Sequence, residues 1–182
     1  MNLPRRLVSP LLAALALGAL TLAVSACGYS SDSTDVVEGE PVTLGEVQYN
    51  VIFSRYLNRN DTEDSAYLIG QPPPPPGTAY FGVFFQVQND SKEPQPLPQT
   101  LTITDAEHET FDALPSRSLY ALHLGTEIDA EDGLPAQDST PQQGPIEGSL
   151  VIFLLPDSAS ENRPLVLEIP GTEESAEVTL DL

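Results

Sequence analysis

Tyr80-Phe81-Gly82-Val83-Phe84-Phe85-Gln86-Val87-Gln88 is the stretch whose reading decides the fold. Phe81, Val83, Phe85 and Val87 fall on one side of a residue-by-residue alternation, the period of a strand with a buried face. Upstream, Val47, Tyr49, Val51 and Phe53 repeat the pattern and are expected on one face. Downstream, Leu101 and Ile103 alternate with threonines, and residues 150–155 are apolar throughout, as expected of a central strand covered on both sides. Leu165, Leu167 and Ile169 give a short strand, and Ala176, Val178, Leu180 and Leu182 alternate with polar residues to the end. Turn-forming residues separate these runs at 89–94, 105–108, 157–164 and 170–171. Many short strands with such punctuation predict an all-β, two-sheet sandwich. Residues 119–124 fit either a helical turn or another strand. Asn89 shares the core-facing side with Phe85 and Val87 but sits where the strand ends, so its amide is expected to satisfy backbone groups of the next turn.

Two loops are long enough to invite a functional reading. Residues 58–77 hold the acidic Asn60-Asp61-Thr62-Glu63-Asp64 and five consecutive prolines, Pro72, Pro73, Pro74, Pro75 and Pro76. Those prolines should form a polyproline rod of about 15 Å. It serves either as a docking peptide for a partner's aromatic groove or as a stiff lead-in packed on Tyr67 or Tyr80 of its own domain. In residues 125–145, Asp129, Glu131 and Asp132 precede Gly133 and offer hard oxygen ligands for loosely held calcium, without the ligand spacing of a calcium hand.

The N-terminal end carries a different message. Arg5 and Arg6 precede an apolar run over residues 7–24, and Val24, Ser25 and Ala26 lead into Cys27, the single cysteine. This is a secretory signal ending in a lipobox, similar to bacterial lipoprotein signals. That similarity implies lipid on the Cys27 sulfur and cleavage before it. The expected organisation is a signal over residues 1–26, a lipidated cysteine and flexible tether over 27–39, and a globular domain over 40–182. The cell membrane then holds the protein by its lipid, on the extracytoplasmic face.

Residues 27–182 number 156, a length that suits one domain. A lone cysteine committed to lipid leaves no intrachain disulfide. The whole chain has 27 acidic and seven basic residues, a formal charge of −20. Removing Arg5 and Arg6 leaves five basic residues against 27 acidic ones, a charge of −22. Nucleic acid and anionic headgroups carry the same sign and are poor partners. His108 and His123 are the only histidines, too few for a transition-metal site, and no nucleophile elbow or cofactor motif occurs. A non-enzymatic protein without a cofactor is expected.

Three segments resemble an uncharacterised family of bacterial immunoglobulin-like lipoproteins, the "domain of unknown function 4352". They are Gly45-Glu-Val-Gln-Tyr49-Asn-Val51, Phe85-Gln-Val87-Gln-Asn89-Asp-Ser-Lys-Glu-Pro94 and Gly144-Pro-Ile-Glu-Gly148-Ser-Leu-Val-Ile-Phe153-Leu-Leu-Pro156. The resemblance spans roughly residues 39–182 and implies an immunoglobulin-like, antiparallel sandwich outside the cytoplasm, with no catalytic residues to carry over. The expected task is binding another envelope protein, with the long loops as contacts. A receptor-like module for a small ligand or calcium is the alternative.

Overall fold

The computed structural model describes residues 33–181, so the signal, Val24, Ser25, Ala26, Cys27 and Leu182 lie outside the described residues. β4 (Thr78–Asn89) organises the fold because both of its faces are apolar. Phe81, Val83, Phe85 and Val87 are buried on one face, as the alternation predicts. Tyr80 and Phe84 are buried on the other, in a second apolar cluster with Leu57, Tyr67, Leu150 and Ile152. Each such side chain gains roughly 1.5–3 kcal/mol from leaving water, so both faces of the strand must be covered. Gly82 belongs to the second face, where a Cβ would lie 2.9 Å from Leu150 Cδ1.

The sheet built on β4 runs β10 (Ser149–Pro156), β4, β3 (Val47–Leu57) and β2 (Pro41–Leu44), with β9 (Gly133–Leu134) pairing to the end of β4. The facing sheet runs β1 (Ser33–Val37), β12 (Ser175–Leu180), β11 (Leu165–Pro170), β6 (Thr102–Thr104) and β7 (Thr110–Asp112). All pairs are antiparallel except β1 with β12. A separate ribbon joins β5 (Gln95–Pro96) to β8 (Glu127–Ile128). Val42, Tyr49, Phe81 and Phe85 from one sheet meet Ile103, Leu167, Ile169 and Val178 from the other in the main core.

Several local expectations are corrected. The tether was expected to reach Gly39, yet Ser33–Val37 is a strand in register from Ser33↔Ser175 to Val37↔Thr179. An edge strand is held by backbone bonds on one side, so its polar composition is no obstacle, and Val36 alone packs on the core. On β3 a bulge between Val51 and Phe53 reverses the parity. Phe53 consequently turns outward at 42 % exposure, while Ser54 and Tyr56 point inward opposite Val83 and Phe81. Ser54 tolerates that position because its amide and hydroxyl both donate to the Glu38 carboxylate. β10 is covered on both faces, but it ends its sheet instead of lying within it. Residues 114–122 guard that edge through single bridges, Leu114 to Ile152 and Ala121 to Leu150. Residues 119–124 are therefore a turn followed by an irregular bridge segment.

The acidic stretch near residue 61 is the start of a helix, α1 (Thr62–Tyr67). The Asp61 carboxylate accepts from the amides of Glu63 (2.9 Å) and Asp64 (3.2 Å), which caps the helix. α1 lies on the outer face of β3 and β4, where the Tyr67 ring meets Phe84 at 5.3 Å and Tyr120 at 4.8 Å between centroids. Arg55 fastens it: Nη1 and Nη2 donate to the buried Asp64 carboxylate at 2.9 and 2.6 Å, and Nη2 reaches Glu63 at 3.3 Å.

The other sheet leaves its outer face in water, and the register there puts like charges side by side. Asp35 of β1 stands opposite Glu177 of β12, and Glu177 opposite Glu168 of β11. Direct cross-strand partners lie about 5 Å apart, and like charges so placed are destabilising. Glu177→Gln should therefore raise stability by about 0.5 kcal/mol in dilute buffer, read by urea unfolding. The gain should vanish near 1 M salt, where screening acts within about 3 Å. A loss of stability, or a gain indifferent to salt, would refute the repulsion.

Candidate functional site

The sandwich has two distinct ends. One gathers Ser33, which pairs with Ser175, the Gly45-Glu46 turn between β2 and β3, and residues 170–174 between β11 and β12. The opposite end holds Leu57 beside Tyr80, Thr78 beside Pro156, and the prolines that lead into β4. β3 runs from one end to the other in 11 residues, about 33 Å at the usual rise per residue.

The chain-entry end contains an open groove of about 1000 Å³. Glu46, Glu173 and Glu174 contribute carboxylates, Pro96 and Leu97 an apolar wall, and no lysine, arginine or histidine is among its lining residues. Tyr49 also lines it and is only 4 % exposed. Burial pushes its phenol up to about 12, so it stays a neutral donor through the physiological range.

A second, smaller groove of about 390 Å³ lies on the outer face of the β4 sheet. Its floor comes from two cross-strand pairs, Gln48 with Gln88 and Asn50 with Gln86. Gln142, Glu147, Gly133, Leu134 and Pro135 complete its walls. Gln86 Nε2 donates to the Glu147 carbonyl at 3.1 Å. The Oδ1 of Asn50 is buried and accepts no hydrogen bond among the described residues, a deficit that costs about 1–3 kcal/mol.

Pro72, Pro73, Pro75 and Pro76 are exposed and Pro74 is half-buried. The run is pinned where it begins: Tyr80 Oη donates to the Pro72 carbonyl at 2.9 Å, and Arg59 Nη1 reaches the carbonyls of Gln71 and Pro72 at 2.9 and 3.2 Å. The Thr78 amide closes its far end on the Pro75 carbonyl at 3.1 Å. Of the two aromatics expected beneath the prolines, Tyr80 supplies this bond, whereas the Tyr67 ring packs on Phe84 and Tyr120.

Asp129, Glu131 and Asp132 are exposed in the connection between β8 and β9. Asp132 Oδ1 accepts from the Gly133 amide at 2.8 Å. Among the described residues no group of three or more His, Cys, Asp or Glu could hold a metal ion. What holds this loop is Asn89, which is fully buried. Its Nδ2 donates to the carbonyls of Glu93 and Asp129, both at 2.9 Å, and its Oδ1 accepts the Ser91 amide and hydroxyl at 3.0 and 2.7 Å. The amide satisfies its own turn as expected and also latches a loop 40 residues away. His108 sits in the β6–β7 turn and His123 on another exposed segment.

Neither groove stood out in the sequence. Gln48, Gln86 and Gln88 read there as the polar alternates of two strands, and that parity was the available signal; their pairing depends on register.

These features define a β-sandwich with a groove at one end and another on an outer face. No family model and no curated protein matches the chain. Several solved structures are similar to it, among them two that cover four fifths or more of the chain. One is an uncharacterised β-sandwich protein from Clostridium difficile 630, at 11 % identity and a TM-score of 0.51, covering 82 % of this chain and 95 % of that one. The other is the yjhA protein from Bacillus subtilis, at 10 % identity and a TM-score of 0.53, covering 80 % of this chain and 99 % of that one. At such identities the likeness establishes the fold alone.

Proposed function

We propose that the chain is a lipid-anchored, extracytoplasmic and non-enzymatic binding module of the cell envelope, a member of the bacterial immunoglobulin-like lipoproteins, which engages another envelope protein through its outward end. The observation that carries this reading is the place of Ser33 at one end of the sandwich. With Ser33 already paired to Ser175, six peptide steps separate it from Cys27, and such a segment spans at most about 20 Å. That is shorter than the roughly 33 Å length of β3, so the lipid reaches the chain-entry end and not the far one. Acyl chains on Cys27 contribute about 0.8 kcal/mol per buried methylene and hold that end at the bilayer. The prolines and α1 then face away from the membrane, where a partner meets them.

Photo-crosslinkers at positions 73 and 172 of the protein in intact cells test the arrangement. The probe at 73 should capture an envelope protein, the probe at 172 should label lipid, and Cys27→Ser should release the protein from membranes. Retention of the serine variant, or lipid labelling from position 73, would overturn it. A receptor-like module is the second reading, favoured by the Tyr49 groove, whose carboxylates suit a cationic ligand.

A further inference from the structure

In a chain with 27 acidic residues, the smaller groove is nearly uncharged: its lining carries one carboxylate, Glu147, and five primary amides, Gln48, Asn50, Gln86, Gln88 and Gln142. We infer that this groove binds a neutral, polyhydroxylated ligand, a short stretch of saccharide. A primary amide offers two donors and a carbonyl acceptor in one plane, and a hydroxyl likewise both donates and accepts, so each amide can answer a sugar hydroxyl in either sense. The pairs Gln48 with Gln88 and Asn50 with Gln86 are fixed by the β3–β4 ladder, about 5 Å apart across the strands. Amides set on paired strands need little reordering to bind.

Gln48 has no side-chain bond among the described residues. Gln86 and Gln88 each donate once from Nε2, to the Glu147 and Asn89 carbonyls at 3.1 and 3.5 Å, and Gln142 Oε1 accepts from the Asp138 amide at 3.2 Å, which leaves each of the three further donors and acceptors of its amide. Leu134 and Pro135 supply an apolar wall for the C–H edges of a sugar ring. The volume, about 390 Å³, falls at the lower end of the roughly 300–1,000 Å³ usual for small-molecule sites.

Other ligand classes fit less well. An anion would enter the field of a chain with a charge of −20, and a cation would find one carboxylate here against three in the larger groove. An apolar ligand would strip water from five amides without replacing their hydrogen bonds. An extended peptide joins sheets at a free strand edge, whereas Gln48 and Asn50 of β3 lie between β2 and β4, Gln88 of β4 lies between β3 and β9, and Gln86 falls in the one-residue gap between the β9 and β10 pairings.

The test is a titration of the isotope-labelled full chain in phosphocholine detergent micelles, followed by the side-chain amide resonances. Cellobiose and chitobiose are the probes, with tetra-alanine amide and putrescine as controls. At least one disaccharide should shift the Gln48, Gln86 and Gln88 side-chain signals saturably, with a Kd on the order of 1 mM. Gln48→Leu and Gln86→Leu should each weaken that binding about fivefold while leaving the backbone spectrum otherwise intact. No saturable shift from either disaccharide up to about 50 mM, an equal or stronger response to either control, or unaltered binding by both variants would overturn the inference. An unmodified Cys27 would end the lipid-anchor proposal and leave these shifts untouched.

Discussion

Replacing Asn89 with alanine is expected to destabilise the protein by about 3 kcal/mol, because it removes several hydrogen bonds to partly buried groups at once and leaves the Ser91 amide without its acceptor. For a domain of this size that is a fall in Tm of roughly 6–12 °C. The Glu93 and Asp129 carbonyls lose a donor and the Ser91 amide loses its acceptor. Asn89→Asp does not rescue the loss: it keeps the acceptor but sets a carboxylate against two carbonyl oxygens. Amide exchange locates the damage. The Glu131 amide, bonded to the Ser91 carbonyl, should lose protection, while those of Val83 and Phe85 within the β4 ladder should change only as far as global stability does. A destabilisation below about 1 kcal/mol would mean that the two loops hold one another without the amide.

Arg55→Met is expected to cost about 3 kcal/mol near neutral pH, since it leaves the buried Asp64 carboxylate without its cation. The effect should depend on pH in a defined direction. Burial pushes the Asp64 carboxyl up, but the Arg55 hydrogen bonds, the Asn58 amide at 2.6 Å and the Arg55 charge outweigh it and hold the group below its ordinary value. A carboxyl depressed in the folded state releases its proton more readily there than in the unfolded chain. Its stabilising contribution is therefore complete above the unfolded value of about 3.9 and is lost as pH falls through the folded one. The gap between native protein and Arg55→Met should accordingly be widest near neutrality and narrow in acid, measured by urea unfolding across that range. Removing both charges with Arg55→Met and Asp64→Leu should recover most of the loss, to within about 1 kcal/mol of the native protein. A gap that stays constant with pH would assign the effect to lost packing of the arginine stem. In the single variant α1 should loosen first, since Asp64 ties it to β3 and Tyr67 covers Phe84 only while it is docked.

Legibility followed how local each cause was. Phe81, Val83, Phe85 and Val87 declare their face because a strand alternates every second residue whatever it packs against. The same rule misplaced Phe53, since one extra residue at Ile52 reverses every later side chain and nothing in the composition of the run marks the insertion. The capping cue was present at Asp61 with Glu63 and Asp64 in the next positions, but the acidic stretch read as a loop; a six-residue helix is held by its tertiary contacts with Arg55, Phe84 and Tyr120. β1 escaped notice for a related reason: its order comes from the free edge of β12, not from its own residues.

By itself the sequence determined the all-β class, the inward faces of most strands, the turn duty of Asn89 and the acidity of the surface, because periodicity, turn chemistry and charge are properties of neighbouring residues. The tertiary structure decided the rest: which end of the sandwich receives the chain, how Arg55 secures α1, and that glutamines 38 to 40 positions apart share one groove floor with Asn50. Those depend on strand register and on contacts between segments distant in the chain, and pairing across a sheet is fixed only when all the strands that compete for it are in place.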